Sequence, residues 1–220
     1  MESLNQTLFL LINASQSAPT IVVAVARIIA TWSVPLTVVL AAALWILGRP
    51  SRRGAILVGG AAVWLGLTLN FIVSLAWFHP RPFMLGLGHQ LLPHVAETSF
   101  PSDHATFILS FGFGLLLSRE WRGMSLFVIT LGFMVAWARI YLGVHFPIDM
   151  LGSLVVAFVG ALGAIAIRPF TETKALPWLE ALYERTLILL RLSVSIFPRM
   201  KNSKATPGTE KAKHSSRRGN

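Results

Sequence analysis

The sequence predicts an all-α, polytopic membrane protein: a helix bundle of five to six spans with an outward-facing active site at the membrane interface. Three observations carry that prediction. Of 220 residues, 54% are hydrophobic and 13% charged, where soluble domains carry about 25% charged residues. The charges fall in short clusters between apolar runs of about 20 residues, the length of helix that crosses a hydrocarbon core of roughly 30 Å. Three polar stretches lie at ends of these runs that alternation places on one side: His79–Phe83, Phe100–His104 and Arg139–Asp149. There is no cysteine, which excludes disulfides, thiol catalysis and thiolate metal sites.

In chain order, Met1–Asn13 lacks the basic region of a signal peptide and shows no small-residue cleavage site. Leu4, Leu8, Leu10, Leu11 and Ile12 make it an amphipathic segment at the interface, and residues 1–17 are assigned to it. The membrane unit, 18–168, has five spans: Ile28–Gly48, Gly54–Phe78, Ser102–Ser118, Gly123–Leu142 and Phe146–Ile167. Ahead of them Ala18–Ala30, with Arg27 inside it, is either a half-depth start of the first span or a sixth span, with Pro35 marking the bend. Residues 169–198 hold an amphipathic cytoplasmic helix, Trp178–Phe197, with Arg185 and Arg191 among its apolar residues. Residues 199–220 form a basic, polar, disordered tail. Its nearest partner is the anionic headgroups of membrane lipids rather than nucleic acid. Small residues Gly152, Ser153, Gly160 and Gly163 suit close helix packing, within one chain or between chains.

Lysine and arginine set the orientation. Arg49, Arg52 and Arg53 follow the first span, Arg119 and Arg122 follow the third, and the chain beyond Arg168 is basic. These loops share one side, the cytoplasmic one. Between His79 and Pro101 the only basic side chain of that class is Arg81, so the three polar stretches face outward.

Ionisable groups at membrane depth are costly, and several converging on one face point to function. Arg81 and Arg139 offer planar, permanently charged forks for phosphoryl oxygens. Pro147 suits a first helical position, so the start of the last span points free N–H groups toward His145. Ser102 suits an N-cap, and its hydroxyl or backbone N–H can also meet an anion. Asp149, four residues beyond His145, can hold one ring nitrogen and leave the other to attack phosphorus. His104 can then protonate the leaving oxygen and activate water. Each residue alone has a plainer use: a snorkelling arginine, a capping serine, an aspartate complementing a helix dipole. His104, His145, Asp103 and Asp149 could also bind zinc, against which stands the lack of a tight pair such as His-x-x-x-His. His79, His89 and His94 read as loop histidines, and Glu97 as a solvated loop charge.

At these residues the sequence resembles the type 2 phosphatidic acid phosphatase superfamily. The family signature is Lys-x6-Arg-Pro, Pro-Ser-Gly-His and Ser-Arg-x5-His-x3-Asp. Here stand Arg81-Pro82, Pro101-Ser102-Asp103-His104 and Arg139-x5-His145-x3-Asp149. The resemblance implies His145 as nucleophile, Asp149 as its orienting partner and His104 as acid and then base. It implies Arg81, Ser102 and Arg139 as phosphate ligands, with Asp103 at the same site, a phosphohistidine intermediate and no metal or cofactor. Three positions depart from the signature: Ser74 replaces the lysine, Asp103 the glycine, and Ala138 the serine before Arg139. The Pro-Ser-Asp-His variant, with Arg-Pro-Phe-Met and Gly-Val-His-Phe-Pro-Ile-Asp, is similar to the bacitracin-resistance type of undecaprenyl-diphosphate phosphatase. That subgroup implies a polyprenyl diphosphate lipid substrate, a place in a bacterial cytoplasmic membrane, and a site facing the periplasm or exterior. Asp103 would then favour a protonated His104 by its charge. Another lipid phosphate, such as phosphatidic acid or phosphatidylglycerol phosphate, would suit the same chemistry. A non-catalytic transport or lipid-binding protein on the same fold is the alternative from a different class.

Overall fold

The computed structural model describes residues 2–189. The tail expected at 199–220, and the last part of the helix expected at Trp178–Phe197, lie outside them. The regular elements of the described residues are all helices: α1 (Glu2–Ile12), α2 (Thr20–Leu47), α3 (Arg53–Ala76), α4 (Asp103–Ser118), α5 (Arg122–Tyr141) and α6 (Pro147–Ala166). A single turn, α7 (Arg168–Phe170), and a π turn (Thr171–Ala175) lead into α8 (Leu176–Leu189).

Among the described residues four helices are long and apolar enough to cross a membrane: α2, α3 with its preceding turn, α5 and α6. The third of the five expected spans, α4, has 16 residues, about 24 Å at 1.5 Å per residue. It is the inner helix, packed against α3, α5 and α6, and only Asp103 in its first turn is exposed. Ala18–Ala30 is not a separate span; from Thr20 on it continues directly into the first one. The first span is one helix of 28 residues that continues through Pro35. Its exposed residues Ile21, Val25, Ile28, Trp32, Leu36 and Val39 recur at helical spacing and form an apolar outer stripe, as a lipid-facing helix requires.

Small residues let the inner helices touch along their backbones. Gly66 of α3 meets Gly160 of α6, where a Cβ on Gly160 would lie 2.7 Å from the Gly66 nitrogen. Gly59 of α3 likewise meets Gly114 of α4. Gly152 lies against the Phe100 ring and Gly163 against Leu65, while Ser153 is buried. All four small residues of α6 singled out in the sequence therefore pack within the chain.

The two ends of the bundle differ. At one end Arg52 lies 4.0 Å from Glu120, the Arg168 guanidinium donates to the Ser118 carbonyl, and the fully buried Arg53 donates to Glu180 of α8 at 2.6 Å. The Arg53 guanidinium also stacks on Trp45 and Tyr183, so α8 is docked under the bundle. At the other end α1 packs on α5 and α6. Phe9 is fully buried against Phe146, the Asn5 amide oxygen accepts from Ile148 N–H, and Asn13 bonds the backbones of His89 and Tyr141. Leu4, Leu8, Leu10 and Leu11 face outward. Thus α1 has an apolar outer face and a packed inner one.

Candidate active site

The site is assembled at the end of the bundle that α1 covers, from the turn between α5 and α6 and the connection from α3 to α4. Helix α5 ends because Gly143 turns left-handed, at φ +80°. Its missing side chain also admits the His89 carbonyl, which would stand 2.1 Å from a Cβ. The chain then doubles back and Pro147 opens α6. Asp149, at the third position of that helix, accepts from the Phe146 N–H at 2.7 Å. One carboxylate oxygen thereby caps the helix and reaches His145, its Oδ2 lying 3.2 Å from Nδ1.

His145 and Asp149 are both buried. The tautomer of His145 follows from its other side. Arg81 Nη1 is 3.1 Å from His145 Nε2, and a guanidinium can only donate. Nε2 therefore presents its lone pair, and the proton sits on Nδ1, shared between Asp149 Oδ2 and the Ser99 hydroxyl at 3.2 Å. Ser99 in turn donates a short bond to Asp149 Oδ2. Burial, reinforced by the Arg139 and Arg81 charges and resisted by Asp149, pushes His145 down to about 3, so the ring is neutral at ordinary pH.

Both arginines are buried and both carry an unpartnered Nε; the Ser102 hydroxyl is unpartnered too. Buried donors without partners carry a desolvation cost that an anionic ligand would remove. The remaining nitrogens of these arginines are held. Arg81 donates to the Val144 and Thr98 carbonyls and to Glu97 Oε1 at 3.2 Å. Arg139 Nη2 donates to His94 Nε2 at 3.0 Å.

Most of the residues expected from sequence meet here, with corrections in detail. Ser102 takes the N-cap position of α4 but makes no capping bond. Its backbone N–H goes to Ser153 Oγ at 2.8 Å, which removes that N–H as an anion ligand. Asp103 is fixed by Asn70 of α3, whose amide donates at 2.6 Å, and its charge acts on Arg81 and Arg139. His104, in the same turn, is half-buried within electrostatic reach of Arg139, His94 and Arg81. Ser74 turns its hydroxyl back to the Phe71 carbonyl; the residue of α3 that reaches the second motif is Asn70, one turn earlier. Ala138 is fully buried beside Ala26 and Ala30, where a hydroxyl would meet apolar neighbours.

Two loop histidines and a loop glutamate have larger parts than their sequence reading gave them. His79 is buried and places Nδ1 3.1 Å from Asp149 Oδ1. His94 accepts from Arg139, with its ring 6.3 Å from that of His145. Glu97, though half-exposed, pairs with Arg81. Ser99 belongs to none of the three motifs. The available signal was proximity in sequence to Arg81 and Ser102; their partners come from elsewhere in the chain. His89 does remain a loop residue, engaged through its backbone.

The profile of the PAP2 superfamily matches residues 53–172, more than half of the chain. The chain belongs to the PAP2 superfamily. Among its relatives is YbjG of Escherichia coli (strain K12), which carries the provisional name undecaprenyl-diphosphatase. It is 36% identical over 165 residues, covering 74% of this chain and 82% of that one. Undecaprenyl-diphosphatase BcrC of Bacillus subtilis (strain 168) is 38% identical over 117 residues, 53% of this chain and 60% of that one. The crystal structure of Aquifex aeolicus LpxE superposes with a TM-score of 0.62 at 22% identity, over 74% of this chain and 95% of the other. This PAP2 protein therefore has the fold and the family that its three motifs led one to expect.

Proposed function

We propose that this protein removes the terminal phosphate of undecaprenyl diphosphate, leaving undecaprenyl phosphate, through a phosphohistidine on His145. The observation that carries the reading is Arg81 Nη1 lying 3.1 Å from His145 Nε2. A phosphoryl oxygen taken up by Arg81 would bring phosphorus next to the imidazole nitrogen that Arg81 now donates to, and would release that nitrogen's lone pair for attack. Family membership supports phosphatase chemistry, and the names of YbjG and BcrC support a lipid diphosphate.

In the first step Nε2 bonds the terminal phosphorus, and the bond from phosphorus to the bridging oxygen breaks. His104 gives its proton to that oxygen, and the lipid monophosphate leaves. The phosphorylated imidazole carries a positive charge, which Asp149 balances through Nδ1–H. In the second step water attacks phosphorus, His104 takes a proton from it, and inorganic phosphate departs with His145 neutral again. Arg81, Arg139 and the Ser102 hydroxyl hold the phosphoryl oxygens throughout, with Asp103, fixed by the Asn70 amide, beside them. The site opens to the periplasm or exterior of a bacterial cytoplasmic membrane, where apolar helix faces receive the prenyl chain.

The test is phosphate release by the detergent-purified protein, with EDTA present, from undecaprenyl diphosphate and from phosphatidic acid. Release from the diphosphate that His145→Ala abolishes is expected. A preference for phosphatidic acid would move the substrate to glycerolipids and keep the chemistry. Full activity in His145→Ala would overturn the nucleophile, and loss of activity in EDTA alone would point to a metal.

A further inference from the structure

Asp149 holds two histidines. Its Oδ2 side serves His145, Ser99 and the Phe146 N–H; its Oδ1 is met by His79 Nδ1 at 3.1 Å. The proposed reaction uses only the first side. From the geometry we infer that His79 is a positioning residue for the reaction: it fixes the Asp149 carboxylate and sets how much negative charge reaches the His145 ring. This rests on the proposal that His145 is the nucleophile.

His79 is built for that part. It leaves the end of α3 on a short connection, and its backbone is tied to the α4 side by the Ser99 N–H at 2.7 Å and the Thr98 hydroxyl at 3.1 Å. The rings of Trp77, Phe100 and Phe146 surround it at 6.0, 6.4 and 5.4 Å between centroids. Two charged groups face it: Asp149 of α6 and Glu2 of α1, whose Oε2 is 3.7 Å from Nε2. The ring thus lies between two carboxylates, one buried and one more than half exposed. The hydrogen bond to Asp149 raises His79 above its ordinary 6.5 against the opposing effect of burial, and the charges of Asp149 and Glu2 add to the rise.

The consequence for rate has a definite sign. Below its raised pKa, His79 is a cation that neutralises Asp149. The carboxylate then gives less to the positive phosphohistidine. As pH rises through that pKa, His79 loses its charge but keeps an N–H on Oδ1, and Asp149 recovers its full effect on His145. The wild-type kcat should therefore rise through an inflection above pH 6.5 that belongs to His79.

The test compares His79→Phe, which fills the ring cavity without a donor, and His79→Asn, whose amide can replace the Nδ1 donor and never titrates. Undecaprenyl diphosphate is the substrate, and His145→Ala is run beside them. His79→Phe is expected to lose about tenfold in kcat, the scale of loss when a partner that orients an active-site group is removed, with KM nearly unchanged. His79→Asn should recover most of kcat and lack the inflection. Wild-type kcat and an unmoved pH profile in both variants, with His145→Ala dead, would overturn the role of His79 alone. Equal losses in both, with lowered melting temperatures, would overturn it in favour of packing. Activity in His145→Ala would instead overturn the reading underneath.

Discussion

At the scale of single residues, the site holds its arginines in use before any substrate arrives. Arg81 is paired with Glu97, whose side chain is 54% exposed, so a phosphate must compete with a carboxylate for that fork. Exposed ion pairs contribute about 0.2–1 kcal/mol, which corresponds to at most about fivefold in affinity. Glu97→Gln is therefore expected to lower KM for the diphosphate, and the inhibition constant of inorganic phosphate, by up to that factor; steady-state kinetics with added phosphate measure both. An unchanged or raised inhibition constant would show that Glu97 does not compete. The same residues mark where sequence reading stops. Arg139, His145 and Asp149 were legible because they sit within one helix end and the next, where spacing determines contact. His79, His94, Glu97 and Ser99 were not, because their partners lie 16 to 70 positions away. Nothing in the connection between Ala76 and Asp103 says which of its polar groups fold inward.

At the scale of elements, hydrophobic runs located α3, α4, α5 and α6 to within about two residues and started α2 about eight residues late, since lipid imposes both length and apolarity on a span. They did not tell α4 from the others. An inner helix with 16 residues reads like a short lipid-facing one until its neighbours are known. Helix contacts can be tested through the glycines. A Cβ on Gly160 would stand 2.7 to 2.9 Å from backbone atoms of Gly66 and Ala62, whereas one on Gly60 would meet nothing within 4 Å. Gly160→Ala must push α3 and α6 apart and should cost about 1–3 kcal/mol. Gly60→Ala should be neutral, or gain up to roughly 1 kcal/mol from helix propensity. Thermal unfolding in detergent compares them, and equal melting temperatures would argue against the close contact.

At the scale of the whole molecule, the basic clusters after α2, α4 and α6 lie at the end of the bundle opposite the candidate site, and the positive-inside rule predicts that the site end is the outer one. Because the sequence contains no cysteine, a single introduced one reports its own location. Gln90→Cys is expected to react with a membrane-impermeant maleimide added to spheroplasts, and Lys174→Cys only after permeabilisation. The reverse pattern would turn the protein over in the membrane. The packing of α1 bears on how the protein is handled at the bench. Glu2, Asn5, Phe9 and Asn13 all engage residues in or beside the site. A purification tag or fluorescent fusion joined ahead of Glu2 would load a helix that leans on the candidate site, so such handles belong at the far end of the chain.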